Sequence, residues 1–211
     1  MSKAFVIALL GAESTGKTVL AAALAEALAA PARRVALVAE YLREFCDQHG
    51  RTPRLQEQAH VAAEQTRRIE AASQDHDIVI ADTTAVMIAV YSEHVFGDTG
   101  LYADALAAHT LCDLTLLTAL DLPWQADGLQ RDGPQVREPV DAAVRLALGG
   151  AGLGYSVVSG RGSARLEAAL ACVQRALAPP PAEAGSAPRW QWHCERCGDT
   201  ACERHTLFPR A

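Results

Sequence analysis

An apolar run that leads directly into a glycine-rich loop is the feature that most constrains how this chain can fold. Residues 5–10 read FVIALL, residues 11–18 read GAESTGKT, and a helical apolar pattern follows. An unbroken apolar run is typical of a strand that is covered on both faces of a parallel sheet. Glycines between such a strand and a helix let backbone N–H groups face an anion at the helix N-terminus. We therefore predict that this phosphate loop, residues 11–18, binds a nucleoside triphosphate, namely ATP.

Two side chains at the end of the loop carry the expected chemistry. Lys17 can reach the outer phosphates as a point charge, and the hydroxyl of Thr18 can ligate Mg²⁺. The residues that we expect to contact the nucleotide are Gly11, Glu13, Ser14, Thr15, Gly16, Lys17 and Thr18.

Charged residues follow the second predicted strand, residues 35–39. Ligands of open parallel sheets bind beyond the carboxyl ends of the strands, so Glu40, Arg43 and Glu44 are expected near the phosphate loop. Glu40 is a candidate for accepting the proton of a substrate hydroxyl. The alternative is a solvated helix start with an ion pair.

A third predicted strand ends at Asp82, within the stretch DIVIADTT that covers residues 77–84. A carboxylate at this point can hold Mg²⁺ or accept a proton from an attacking hydroxyl. The alternative is that Asp82 or Thr83 caps the helix that follows.

The segment 121–137 is charged, contains glycine and lacks periodicity, which indicates a mobile segment rather than a helix or strand. Arginines in such a segment suit a lid that closes over a transferring phosphoryl group and excludes water. Arg131 and Arg137 are the candidates.

Strands alternate with helices along the chain, which predicts an α/β fold with a doubly wound, mainly parallel sheet of five strands. The predicted strands cover residues 5–10, 35–39, 77–82, 114–118 and 155–159. The first predicted helix begins at residue 18. Further helices are predicted over residues 55–73, the stretch after 84, 101–109, 140–148 and 163–178. Together these elements form one domain over residues 1–178.

Composition narrows the classes of function. The 211 residues carry a formal net charge of −6, and 21% of them are charged. A mildly acidic chain argues against DNA binding, and no apolar run approaches the ~20 residues that span a bilayer. Three of the six cysteines are scattered through the α/β pattern, which favours a reducing cytoplasm over a disulfide scaffold.

A proline- and alanine-rich linker, residues 179–189, precedes a short tail at 190–211. Cys194, Cys197, Cys202 and His205 supply four ligands of the type that tetrahedral Zn²⁺ prefers. So few residues cannot bury a core, and a structural zinc would provide the missing folding free energy. The alternatives are a disordered tail with free thiols and a disulfide.

Several segments together resemble the kinase domain of bacterial NadR-type ribosylnicotinamide kinases, an AAA-like branch of the P-loop proteins. They are the phosphate loop, the YLRE step at 41–44, Asp82-Thr83, YSEHVFG at 91–97, and PWxxDGxxR at 123–131. The resemblance runs from about residue 3 to 178. It implies transfer of the γ-phosphate of ATP to the 5′-hydroxyl of nicotinamide riboside. Multifunctional members carry a nucleotidyltransferase domain ahead of the kinase. This sequence begins at the phosphate-loop strand, so we expect neither adenylyl transfer nor DNA binding.

Two hypotheses of function follow. The first is a small-molecule kinase that acts on a nucleoside, with Tyr91 or Trp124 available to stack on a heteroaromatic ring. The second is an ATP-dependent switch whose zinc tail docks a protein partner, since Trp190 and Trp192 beside the cysteines suit interface anchors. The oligomeric state stays open, and a homo-oligomer is compatible with the sequence.

Overall fold

The computed structural model of the protein describes residues 3–125 and 133–178. The chain divides into two units, residues 1–176 and 177–211, and nearly all of the described residues belong to the first. The predicted linker, the predicted zinc ligands and Arg131 lie outside the described residues.

Strands and helices alternate through the described part of the chain. Its strands are β1 (Phe5–Leu10), β2 (Val35–Val38), β3 (Ile78–Asp82), β4 (Leu114–Thr118) and β5 (Ser156–Val158). Its helices are α1 (Lys17–Leu28), α2 (Tyr41–His49), α3 (Leu55–Asp75), α4 (Ala85–Phe96), α5 (Tyr102–His109), α6 (Arg137–Gly150) and α7 (Ser163–Leu177). One turn of 3₁₀ helix, Pro134–Val136, leads into α6.

The five strands form one sheet in the order β2-β3-β1-β4-β5, and every pair is parallel. This confirms the predicted five-stranded α/β sheet. The chain crosses from one side of β1 to the other when it passes from β3 to β4. Ligands of open α/β sheets bind at such a switch point, outside the carboxyl ends of the strands. The phosphate loop follows β1 and therefore lies at that point.

Helices cover both faces of the sheet, which explains why its central strands are continuously apolar. Alternate residues of β1 separate the two layers. Ile7 and Leu9 pack with Leu24 of α1 and Val173 of α7. Leu10 faces the other way and belongs to the core that includes α4 and α6.

The first half of α4 is buried on all sides, since each of the six residues from Ala85 to Val90 is at most 4% exposed. It packs against α3, α5 and α6, and its core cluster also contains Leu10 of β1 and Leu117 of β4. A helix enclosed in this way needs no polar face.

Two stretches differ from the sequence-based prediction. Helix α2 was foreseen only as the alternative of a solvated helix start, but Tyr41 and Phe45, one turn apart, form a buried face that anchors it. The predicted irregular segment extended to Arg137, whereas α6 begins there. Its apolar face starts with Val136, Val140 and Val144 at a spacing of four, and this burial holds the first turn in place.

None of the helices among residues 3–125 and 133–178 is both long and apolar enough to cross a bilayer.

Candidate active site

The backbone of the phosphate loop adopts conformations that only certain residues tolerate. Gly11 has φ 145° and Gly16 has φ 78°, and both values are strained for residues with a side chain. A Cβ added at Gly11 would lie 2.1 Å from Oγ1 of Thr118. The loop thus needs a glycine at its first position because the end of β4 approaches its backbone so closely.

Threonine hydroxyls fix the loop against the sheet. The hydroxyl of Thr118 donates to Oγ1 of Thr15 over 2.7 Å, and the hydroxyl of Thr15 donates to the carbonyl of Ala12 over 2.7 Å. Both threonines are fully buried. The loop is therefore held in shape before any phosphate binds, so little ordering entropy is lost on binding.

Lys17 is held over the loop by the loop's own carbonyls. Its Nζ donates to the carbonyl oxygens of Gly11, at 2.8 Å, and Ala12, at 2.9 Å. An ammonium group has three N–H bonds that point in different directions. The contacts hold the charge at the centre of the loop, where an anion would be bound.

The phosphate loop borders two cavities, and Ser14, Gly16 and Val19 line both. The first, here the Tyr91 cavity, has a volume of about 320 Å³. Beyond the loop it is lined by Glu40, Leu42, Arg43, Thr83, Met87 and Tyr91.

The second, here the Leu122 cavity, has a volume of about 530 Å³. Its apolar walls are formed by Leu20, Ala23, Leu122, Pro123 and Leu166. Both volumes fall in the range of roughly 300–1,000 Å³ that is usual for small-molecule sites.

A third cavity, here the Asp82 cavity, of about 430 Å³ brings Thr18, Glu40 and Asp82 together, along with Ala39, Arg43, Glu44, Asp47 and Gln48. Only 2% of Asp82 is exposed, and its Oδ1 has no hydrogen-bond partner among the described residues. A buried carboxylate oxygen without a donor is costly unless a cation or a proton satisfies it.

The oxygen atoms of Thr18 and Asp82 fit Mg²⁺, which keeps several waters and takes one or two protein ligands beside substrate phosphates. Among residues 3–125 and 133–178, no group of three or more His, Cys, Asp or Glu side chains could hold a metal. The described residues therefore do not form a site that encloses a metal ion with protein ligands alone. The oxygens of Thr18 and Asp82 suit a cation that phosphate oxygens also ligate.

The helix after Asp82 is capped by neither of the residues that the alternative interpretation suggested. Thr84 is the N-cap of α4, and its Oγ1 accepts from the N–H of Val86 at 3.4 Å. The intervening Thr83 has φ 80°, which costs a residue with a β-branched side chain on the order of 1–3 kcal/mol. Asp82 is thereby left free of a capping role.

Glu40 combines the two arrangements that the sequence left open. It stands at the N-terminus of α2 but makes no side-chain cap. Instead its Oε2 accepts from Nε of Arg43 at 3.0 Å. Both residues nevertheless line the Tyr91 and Asp82 cavities. The neighbouring Glu44 pairs with Arg68, whose hydrogen bond is the main reason that the pKa of this carboxyl is lowered.

The described part of the predicted lid differs between its two ends. At its start, the N–H of Gln125 donates to Oγ of Ser14 at 2.7 Å, so the segment after β4 contacts the phosphate loop. At its end, Arg137 begins α6 and is 8% exposed. Its Nε and Nη2 find no acceptor among the described residues, and it lines none of the three cavities above.

Sequence reasoning missed three buried polar residues that hydrogen-bond to the strands or the segments next to them: Gln65, His109 and Arg165. Gln65 Oε1 accepts from the N–H of Tyr41 at 2.8 Å, and its Nε2 donates to the carbonyls of Ala39, at 3.4 Å, and Thr83, at 3.3 Å. This amide therefore ties together the backbone on both sides of Glu40 and the backbone next to Asp82. A polar residue on an apolar helix face was the available signal.

A parallel sheet with a phosphate loop at its switch point defines the class of this protein as a P-loop NTPase fold. A family model described as AAA domain matches residues 6–165, and the chain belongs to that family. Among curated proteins, no sequence matches the chain.

Solved structures share the fold at low sequence identity. One is a NadR protein in complex with NAD and AMP-PNP, at 19% identity and a TM-score of 0.63 over 82% of this chain. Another is a NadR protein in complex with NR, at 18% identity and a TM-score of 0.66, also over 82% of this chain. The chain spans about half of each NadR structure, 49% of its length.

A thymidylate kinase from Ehrlichia chaffeensis is similar over nearly its whole length. The match covers 81% of this chain and 99% of that one, at 16% identity and a TM-score of 0.56. These matches confirm the predicted resemblance to NadR, and at such identities they show a common fold.

Proposed function

We propose that the protein is a kinase that transfers the γ-phosphoryl group of ATP to the 5′-hydroxyl of a nucleoside. Nicotinamide riboside is the acceptor that we favour, because the sequence segments resemble ribosylnicotinamide kinases and a NadR structure with NR bound shares the fold. One observation carries the proposal: the phosphate loop borders two distinct cavities. A kinase needs room for a donor and an acceptor, whereas a simple ATPase needs room for the donor alone.

The donor would lie with its base in the Leu122 cavity. The aliphatic walls there suit the faces of a heteroaromatic ring. The triphosphate would then run along the phosphate loop toward Lys17, where backbone N–H groups, the dipole of α1 and the ammonium favour negative charge. The transferring phosphoryl group would reach the border of the Tyr91 cavity.

Thr18 and Asp82 would hold Mg²⁺. When bound, this ion neutralises charge on the phosphates of the donor. The unsatisfied, buried Oδ1 of Asp82 supports this assignment, because Asp82 and Thr18 line the same cavity. The chain's own contribution is to keep that carboxylate buried and free of a capping role.

The acceptor would lie in the Tyr91 cavity, where Leu42, Met87 and Tyr91 offer an apolar and aromatic surface for its base. Of the two candidate carboxylates, Glu40 lines this cavity and Asp82 does not. We therefore assign the proton of the attacking hydroxyl to Glu40 and keep Asp82 for the metal. Arg43 orients Glu40 through their ion pair, which leaves the second carboxylate oxygen for the hydroxyl.

Arg137 would stabilise charge during transfer through the lid. Two of its guanidinium nitrogens have no acceptor among the described residues, which favours a role toward an anion. Arg131 is the second lid candidate on sequence grounds alone.

The test is release of ADP from Mg-ATP with and without nicotinamide riboside and a panel of other nucleosides, with the products identified. We expect strong stimulation by nicotinamide riboside and the appearance of its 5′-phosphate. Stimulation by a different nucleoside would keep the mechanism and change the acceptor. Slow ADP release that no acceptor stimulates would refute the kinase proposal and favour the ATP-dependent switch.

A matched pair of variants tests the proton acceptor. Glu40→Gln should keep its affinity for ATP and lose turnover by about 100-fold, which is typical for removal of a general base. Glu26→Gln, on the exposed face of α1, makes the same chemical change away from the cavities and should leave turnover unchanged. Equal turnover in the two variants would remove Glu40 from the reaction.

A further inference from the structure

Arg165 is a buried arginine that reaches the phosphate loop from the far end of the chain. It lies in the first turn of α7, with only 4% of the residue exposed. Its Nη1 donates to the carbonyl oxygen of Thr15 at 2.6 Å, across 150 residues of sequence. Its Nε donates to the carbonyl of Gly160 at 2.8 Å, and its Nη2 forms an ion pair with Asp121. All three nitrogens of the guanidinium are therefore engaged, each with a different segment.

The partners of Arg165 hold one another as well. Asp121, just after β4, accepts from the N–H of Gly160 through its second oxygen at 2.6 Å. Burial on its own would raise the pKa of Asp121, but the hydrogen bond from Gly160 and the charge of Arg165 outweigh it, so this pKa is lowered. The carboxylate of Asp121 is thus charged at neutral pH. The network joins the loop after β1, the loop after β4 and the loop after β5.

The contact with Thr15 fixes more than one atom. The carbonyl of Thr15 and the N–H of Gly16 belong to one planar trans peptide unit, so the two groups point in opposite directions. A carbonyl directed at Arg165 therefore directs the N–H of Gly16 away from Arg165. Gly16 is the residue with φ 78° directly before Lys17, and it offers little resistance of its own to rotation of this peptide.

We propose that Arg165 is a positioning residue for the phosphate loop. It holds the Thr15–Gly16 peptide in the orientation that presents the N–H of Gly16 to the phosphates. It also makes this orientation depend on Asp121 and Gly160 near the Leu122 cavity, which Arg165 itself lines. The inference rests on the ATP-binding part of the proposed function and adds the residue that keeps the loop ready for phosphate.

A purely structural role is the competing explanation. Breaking a buried ion pair commonly destabilises a protein without any effect on a ligand. A role limited to the wall of the Leu122 cavity would weaken binding of the base. Neither alternative changes the intrinsic affinity of the folded protein for phosphates that carry no base.

The experiment compares ATP with inorganic tripolyphosphate as ligands of the full chain. Both affinities are measured by calorimetry for the wild type and for Arg165→Lys, at a temperature where melting curves show each to be folded. Lysine keeps the charge but cannot reach three acceptors with one nitrogen. We expect both affinities to fall by the same factor, about tenfold or more, which corresponds to at least about 1.4 kcal/mol. The affinity for the nucleoside acceptor should not change.

Arg145→Lys is the matched control. Arg145 also pairs with one aspartate, Asp141, but it lies on α6 and lines none of the three cavities. Its substitution should leave both affinities unchanged. If Arg165→Lys does not fold, Asp121→Asn carries the test, because an amide can keep only one of the two hydrogen bonds that the carboxylate accepts. Asp121→Asn should weaken the binding of ATP and of tripolyphosphate by the same factor, which should be smaller than the factor for Arg165→Lys.

The outcomes separate the explanations. An unchanged affinity of the folded variant for tripolyphosphate overturns the proposal, whether or not ATP binding is weakened. Equal losses for both ligands, with the acceptor unaffected, support it. If the wild type binds neither ATP nor tripolyphosphate, the proposed function itself is refuted and the inference falls with it.

Discussion

The stability of the protein should depend on pH through one buried histidine. His109, at the end of α5, is 3% exposed and lies between two threonine hydroxyls. Its Nδ1 is 3.0 Å from Oγ1 of Thr84, and its Nε2 is 2.8 Å from Oγ1 of Thr115. Burial lowers the pKa of His109 from 6.5 to about 4, because the charged imidazolium would lose its hydration.

The sign and size of the effect follow from that difference. Below pH 6.5 the unfolded chain binds a proton at this histidine, while the folded protein does not until the pH approaches 4. The unfolded state is therefore favoured progressively as the pH falls between these values. The free energy of unfolding should drop by about 2 kcal/mol between pH 7 and pH 5, and by about 3 kcal/mol at pH 4.

Paired carboxylates do not interfere in the upper part of this window. Hydrogen bonds from Arg51 lower the pKa of Glu57 to about 2, and those from Arg67 and Arg68 lower that of Glu64 to about 2. The stability that these pairs contribute is present above pH 4.5 and is lost only as the pH falls toward 2. A loss between pH 7 and pH 5 thus reports on the histidine.

Urea unfolding at pH 7 and pH 5 measures the effect in the wild type and in His109→Gln. We expect the wild type to lose about 2 kcal/mol more than the variant over this range, whatever the variant's stability at pH 7. His94→Gln, at an exposed position of α4, is the control and should keep the response of the wild type. Equal losses in the wild type and His109→Gln would refute the argument.

Three further substitutions test the site. Lys17→Ala should abolish ATP binding while the melting curve shows a retained fold, and undiminished affinity in calorimetry would contradict the role of the phosphate loop. Asp82→Asn should keep nucleotide binding but reduce turnover by about 100-fold or more, and unchanged turnover would exclude Asp82 as a metal ligand. Gly11→Ala should destabilise the protein by about 2 kcal/mol or more in urea unfolding, since strain at φ 145° adds to the 2.1 Å approach of Thr118 Oγ1. A Gly11→Ala variant as stable as the wild type would show that the loop can relax.

Much of the fold could be predicted because local sequence patterns indicate its strands and helices. The apolar runs of β1, β3 and β4 are long enough to be told from helix, and a parallel sheet follows from their alternation with helices. Helix α2 was harder to predict because it is short, with only nine residues, and carries charges at Arg43 and Glu44. The start of α6 was hidden because its first residue is an arginine, which in sequence is typical of an exposed segment.

The candidate site was predictable only where a motif or a strand end marks it. The phosphate loop, Glu40 and Asp82 could be found from their positions relative to the strands. Which cavity each carboxylate lines could not, because that depends on the path of the helices after the strands. Glu40 lines the Tyr91 cavity because α2 starts there. Asp82 lines the Asp82 cavity instead, because the chain turns at Thr83, which has φ 80°.

The three residues that sequence reasoning missed share one property, and it connects the core with the site. Gln65, His109 and Arg165 lie at helical positions where the apolar period calls for a core residue. Gln65 is flanked by Val61 and Ile69, and Arg165 continues the face of Ala169 and Val173.

Burying an amide, an imidazole or a guanidinium is costly unless it is hydrogen-bonded, so each such position needs partners that an aliphatic side chain would not. Apart from the Asp121 carboxylate that pairs with Arg165, the partners are backbone or hydroxyl groups in the strands or next to them: Ala39 and Thr83 for Gln65, Thr84 and Thr115 for His109, and Thr15 and Gly160 for Arg165. Loops at the ends of strands leave backbone carbonyls unpaired by the sheet, and in this protein the helices behind the sheet satisfy several of them. Through Gln65 and Arg165, polar residues on otherwise apolar helix faces, the packed core thus determines the geometry of the site.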